Sequence, residues 1–317
     1  MTNVTDLPAL ALEWHRAGRR VAVAMVVETW GSAPRPVGSW LVIDGDGAME
    51  GSVSGGCVEG SVIVEAMDAI ADGKPRVLDF GVSDDEAFAV GLACGGRIRV
   101  LVDPIGGVLP VDLLESLVAK RIGKESVAYI ADIDGDTRSL ASAEQHAERF
   151  AADKSGIEPD GRTFVGIHNP PLRMIVVGAV HIAQALIPMA RACGYDPVLI
   201  DPRGAFGSED RFPNEVIVEE WPDEAMFALA PDSRTAVVTL THDPKLDDPA
   251  ILAALDSPAF YIGCLGSTRT HAKRVARLEG ADMTRIHAPV GLNIGSKSPA
   301  EIAVSIMGQI TEKLRRG

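Results

Sequence analysis

Residues Met174 to Leu186 read MIVVGAVHIAQAL, an apolar run that meets a glycine and continues into a helix-compatible stretch. A strand, a tight turn and a helix follow from that order. Gly178-Ala179-Val180-His181-Ile182-Ala183 keeps the frame G-x-G-x-x-A except at its second glycine. Asp201 ends the next apolar run, about 20 residues on, where a dinucleotide-binding fold carries an acid for a ribose hydroxyl. The context is that of a Rossmann unit. Val180, however, puts a β-branched side chain where a pyrophosphate would approach the backbone, which weakens the case for NAD(P). Gly178 serves either the turn or a ligand, His181 either meets an anion at the helix start or is solvated, and Asp201 either binds a ribose or closes on Pro202-Arg203.

Outward from this stretch the same rhythm recurs. Apolar runs at Met174 to Val177, Val198 to Ile200, Val216 to Val218, Ala236 to Leu240 and Ala259 to Ile262 alternate with expected helices near 181–193, 222–230, 248–256 and 267–279. Continuous apolar strands separated by helices predict a doubly wound parallel sheet. Ser298-Pro299-Ala300-Glu301 combines an N-cap serine, a first-turn proline and a capping-box glutamate, so a last helix starts there. A second strand-to-helix joint, Gly263 to Thr270, enters a basic helix with Lys273, Arg274 and Arg277. Its free amides, with Gly266, Ser267 and Arg269, suit a phosphate or carboxylate.

The first half is less regular: strands at 21–28, 39–43, 76–80, 97–102 and 127–133 mix with helices at 7–17, 58–72 and 110–121. This order predicts an α+β domain. Glu144 to Asp160 carries many charges and no apolar period, so it reads as a surface excursion. The prolines of His168-Asn169-Pro170-Pro171 bar helix and central strand alike. The expected domains are 1–168 and 169–317.

The whole chain, 317 residues, has 30 Lys and Arg against 44 Asp and Glu, a formal charge of −14. An acidic field without a basic run speaks against nucleic acid and anionic membrane surfaces as partners. No secretory leader pattern and no apolar run of spanning length occurs, so the expected location is cytoplasmic. Four cysteines are too few for a disulfide framework. Cys57 follows Ser54-Gly55-Gly56 at the start of an expected helix, where dipole and amides favour a thiolate. Cys94-Gly95-Gly96 precedes a strand carrying Arg97 and Arg99, and the paired glycines leave room for a ligand or a second backbone. If the two turns meet, two sulfurs share one shallow site. Cys193 and Cys264 are expected to be core fillers. Arg35, in the rigid loop Gly31 to Pro36, is a candidate anion contact.

GSAPRPVGSWLVIDGDGAMEGSVSGGCVEG, GLACGGRIRVLVDP, VVGAVHIAQAL, LIDPRGAF, THDPKLDD, YIGCLGSTRT and APVGLNIGSKSPAEIAVSIMGQI occur here in that order. Together they resemble the xanthine dehydrogenase accessory protein family (XdhC/CoxI). The resemblance implies a chaperone that binds the molybdenum cofactor (molybdopterin), shields it while its terminal sulfur is installed, and delivers it to a molybdenum hydroxylase. It implies an accessory factor rather than a catalyst, with Cys57 and Cys94 the leading residues for cofactor handling. The implied partners are a xanthine dehydrogenase-type hydroxylase and a cysteine desulfurase, with a homodimer as the candidate assembly. The alternative is an NAD(P)-dependent oxidoreductase built on the Gly178 turn and Asp201.

Overall fold

The computed structural model describes residues 5–81, 96–204, 206–208, 210–213 and 215–316. The chain divides into two compact units, with the change at Pro170–Pro171. In the first, α1 (Leu7–Arg16), β1 (Val21–Trp30), β2 (Trp40–Asp44), β3 (Met49–Gly51), α2 (Glu59–Asp72), β4 (Arg76–Phe80) and β5 (Arg97–Pro104) come first. They are followed by α3 (Val111–Ile122), β6 (Val127–Asp132), β7 (Arg138–Ser142), α4 (Ala147–Ala152), β8 (Gly156–Ile157) and β9 (Thr163–His168). The strands make two antiparallel sheets, ordered β3-β2-β1-β5-β4 and β7-β6-β9-β8.

Strand β1 is buried on both faces, which explains its unbroken apolar run. Val21, Val23, Met25 and Val27 face α1, α3 and the second sheet, whereas Ala22, Ala24 and Val26 face Val58, Val62, Ala66 and Ala69 around α2. A fully buried ion pair joins the sheets: Arg138 on β7 donates to Asp103 on β5 at 2.7 and 2.6 Å, and the Tyr129 hydroxyl donates to the same carboxylate at 2.7 Å. Every charge there has partners, the condition under which such a pair is tolerated.

The expected surface excursion at Glu144 to Asp160 is ordered instead. It holds α4 and β8, and Phe150 packs against Ala128 and Val165. One buried aromatic in a short segment is enough to anchor it, and no periodicity develops over six residues. His168, expected in a linker, ends β9 and is buried.

The second unit contains β10 (Leu172–Val177), α5 (His181–Ala192), β11 (Tyr195–Ile200), β12 (Ile217–Val218), α6 (Pro222–Leu229), β13 (Thr235–Thr239), α7 (Pro244–Leu255), β14 (Tyr261–Cys264), α8 (Thr268–Arg277), β15 (Ile286–His287) and α9 (Pro299–Arg316). All its strand pairs are parallel, in the order β12-β11-β10-β13-β14-β15. This is the doubly wound arrangement, with the order reversing between β10 and β13. Alternate residues of β10 feed two cores. Met174 and Val176 meet α5 and α9 through Leu186 and Ile306, while Ile175 and Val177 meet α6 and α7 through Met226 and Ile251.

Cys264 is buried among these, and burial pushes its thiol up to about 11. Cys193 departs from expectation: it is the exposed C-cap of α5. The helix ends one residue before it, so its side chain leaves the buried stripe of Ile182, Leu186 and Ala190.

Candidate functional site

The Cys57 turn is built around a carboxylate. Glu59 opens α2 and is buried, yet it reaches back over the residues before it. Its Oε1 accepts from the Ser52 hydroxyl at 2.7 Å and from the Val53 and Ser54 amides at 3.2 and 2.9 Å. Its Oε2 accepts from the Gly56 amide at 2.9 Å and from the Ser54 hydroxyl. Ser52 in turn accepts from Gly55, and Ser54 from Val58. Burial alone would raise the Glu59 pKa, but the hydrogen bonds from Ser54 and Ser52 outweigh it and hold the group at about 2. Gly55 and Gly56 have φ of +74° and +109°, a backbone that side chains rarely adopt. The outcome is a rigid turn that presents Cys57 to solvent.

Two other expected residues lie beside it. A Cβ on Gly55 would stand 3.5 Å from Pro34, the neighbour of exposed Arg35. One on Gly96 would collide with the Ser32 carbonyl at 2.0 Å. The loop Gly31 to Pro36 is therefore flanked by the Cys57 turn and by the start of β5. Cys94 and Gly95 lie outside the described residues. Arg35 also lines a cavity of about 360 Å³ with Arg121 and His168. His168 is held down at about 3 by burial and by Arg121, whose Nη1 lies 2.9 Å from its Nδ1.

In the second unit, Gly178 has φ +114°, and a Cβ there would press on the Thr241 methyl at 2.7 Å. The place where the strand order reverses is thus closely packed. Asp201 is buried and fully engaged. It accepts from the Ala179 amide at 2.7 Å, from the Arg203 amide at 3.0 Å, and from the Arg203 guanidinium at 2.9 and 2.8 Å. Burial raises its pKa, but the bonds from Arg203 and Ala179 bring it below the usual carboxylate value. A ribose could claim Asp201 only by displacing one of these donors. Val180 is the N-cap of α5 and offers no side-chain cap, and His181 is exposed at the first helical position.

The second joint opens onto a cavity. Ser267 caps α8 by accepting from the Thr270 amide at 3.2 Å, and Gly266 has φ +139°. Arg269 lies one helical turn before Lys273 and two before Arg277, so the three form a stripe. With Arg274, Thr270, His242, Pro244 and Asp247 they line a space of about 360 Å³ at the carboxyl ends of β13 and β14. His242 is held at φ +62°. THDPKLDD supplies one wall through His242, Pro244 and Asp247, and α8, which begins at the end of YIGCLGSTRT, supplies the other.

Reasoning from sequence missed Glu59, Asp247 and Arg274 as organising residues, whereas Arg203 belongs to the Pro202-Arg203 turn that one reading of Asp201 has it closing on. Glu59 had a signal: a carboxylate three residues after two glycines can collect the amides they expose. Arg274 had none: it is one of several basic residues in α8, and its burial, alone among the residues of that helix, shows only in the fold.

A parallel sheet in this order, joined to an antiparallel unit that holds up a thiol, defines a two-unit protein with a Rossmann domain. Residues 174–310 match the XdhC Rossmann domain, and residues 14–81 match the XdhC and CoxI family. The chain belongs to that family. It is 28% identical over 305 residues to the molybdenum cofactor insertion chaperone PaoD of Escherichia coli (strain K12), covering 95% of this chain and 85% of that one. To a probable xanthine dehydrogenase subunit of Bacillus subtilis (strain 168) it is 27% identical, covering 93% of each. The crystal structure of a xanthine dehydrogenase from Bacillus halodurans shares the fold, with a TM-score of 0.80 at 23% identity over 98% of this chain and 96% of that one. Among the described residues no helix is long and apolar enough to cross a membrane.

Proposed function

We propose that this chain is a molybdenum-cofactor chaperone: it binds the cofactor as cargo, protects it while it is sulfurated, and passes it to a xanthine dehydrogenase-type molybdenum hydroxylase. The observation that carries this is the Cys57 turn, where an exposed thiol stands on a backbone fixed by the buried Glu59 carboxylate. A thiolate is a nucleophile and a soft metal ligand, suited to holding a metal centre or a sulfur in transit. Fixing the turn in advance removes part of the ordering cost of binding. The name of the E. coli relative supports the same reading. A carrier must also release its load, so its affinity lies well short of the tightest non-covalent complexes.

A hydroxylase and a cysteine desulfurase are the proposed partners, and Arg35, beside the turn, is the proposed contact for an anionic part of the cargo. The test is to co-express the chain with the cofactor pathway, purify it, and measure molybdenum and oxidised pterin fluorescence per chain. Wild type should retain both and Cys57→Ala should lose most of the metal. Wild type that carries neither would overturn the reading.

A further inference from the structure

Between α7 and α8 the second unit holds a charge arrangement that its own residues leave incomplete. Arg274 is 1% exposed, and its Nε and Nη1 have no hydrogen-bond partner. Its Nη2 reaches the Leu265 carbonyl at 3.2 Å and comes only within 3.6 Å of Asp247 Oδ2, which itself accepts no hydrogen bond. The other Asp247 oxygen is taken by the Thr241 hydroxyl at 2.7 Å and its amide at 3.3 Å. Arg277, on the same wall, is paired with Asp248 at 2.7 and 2.9 Å. Arg269 and Lys273 have no ion-pair partner among the described residues. In a chain of net charge −14, this cavity is lined by four cationic side chains and one carboxylate, Asp247, and Asp248 outside the lining pairs with Arg277.

Buried donors without acceptors are costly, and a guanidinium keeps its charge at any working pH. An oxyanion entering the cavity would supply the missing acceptors through charge-assisted bonds. Two unopposed cations beside a half-paired arginine match a dianion better than a single carboxylate. The cavity is also larger than a phosphate needs, so an organic remainder has room.

We propose that this cavity binds a phosphate group, either as inorganic phosphate or as the terminal phosphate of a monoester. The site stands on its own charges; only the view that the phosphate belongs to a pterin cargo rests on the function proposed above. Calorimetric titration of the full chain at low ionic strength with inorganic phosphate, and separately with glycerol phosphate, should show saturable binding. The double variant Arg269→Ala/Lys273→Ala changes exposed residues only and should keep its circular dichroism spectrum. It should weaken binding roughly tenfold or more. Tighter binding of glycerol phosphate would assign the site to a monoester, and equal binding to the free anion. No saturable binding, or binding unchanged in the double variant, would overturn the proposal. Phosphate binding by a chain that never carries molybdenum or pterin would remove the chaperone reading and leave this site in place.

Discussion

Glu59 and Asp247 are both buried carboxylates next to a helix start, and they differ in how completely they are paired. Glu59 accepts five hydrogen bonds and sits at about 2; Asp247 keeps one oxygen unpaired, and burial raises its pKa despite Thr241 and Arg274. A saturated carboxylate has nothing left to offer a ligand and serves to hold a turn. An unsaturated one beside a buried arginine with two idle donors marks a network that something else completes. The first unit therefore displays a finished scaffold that presents Cys57, and the second a buried arginine and carboxylate that the chain's own residues pair only in part.

The largest effect expected from breaking this contrast is at Glu59. Glu59→Gln turns an acceptor that faces several N–H groups into a donor and should cost the first unit about 3 kcal/mol or more. Three of the four tryptophans, Trp14, Trp30 and Trp40, lie in that unit, so fluorescence-detected urea unfolding reads it. The pH dependence gives a second signature. Because the folded pKa is depressed below the ordinary 4.5, the stabilisation is complete above about pH 4.5 and is lost as pH falls toward about 2. Wild type should lose stability across that window, and Glu59→Gln should not show this component. A variant as stable as wild type at pH 7 would show that the turn does not depend on its carboxylate.

Asp247 predicts the opposite slope. Its folded pKa is raised above the ordinary 3.8, so its contribution turns unfavourable as pH rises from there through the folded value. Asp247→Asn should remove that decline while its carbonyl still accepts from Thr241. It should also tighten phosphate binding roughly three- to tenfold, since one charge facing the ligand is gone. Weaker phosphate binding in this variant would mean that Asp247 positions Arg274 more than it opposes the anion.

The difference between the two places also explains what could be read from the chain. The parallel sheet was legible because β10 and β13 are buried on both faces along Met174 to Val177 and Ala236 to Val238, and those apolar runs are unbroken. The stretch 144–160 was not, because a 3₁₀ turn, a six-residue helix and a two-residue strand are too short for any period and bury just one side chain fully, Phe150. At the site, the residues legible in the chain are those with distinctive local chemistry: Cys57 after paired glycines, Arg35 between prolines, Gly266 and Ser267 at a helix start. The residues that organise them act at a distance in space. Asp247 and Arg274 meet across two helices, a relation that spacing along the chain does not encode. Asp201 shows the converse, since its position in the fingerprint frame is right while Arg203, two residues on, takes both its oxygens.

The smallest effect is expected at Cys57, and it separates presentation from support. The thiol is exposed and its turn is held by Glu59, Ser52 and Ser54, so Cys57→Ser should change stability by no more than about 0.5 kcal/mol. Brief iodoacetamide treatment of the native chain followed by peptide mass spectrometry should label Cys57 and Cys193 and spare Cys264, which is buried with its thiol raised to about 11. Cys264 should react only after unfolding. Rapid native labelling of Cys264 would mean that the second core opens easily. Protection of Cys57 in the purified chain, relieved when molybdenum is stripped by oxidation, would instead place the metal against the thiol that the Glu59 turn holds out.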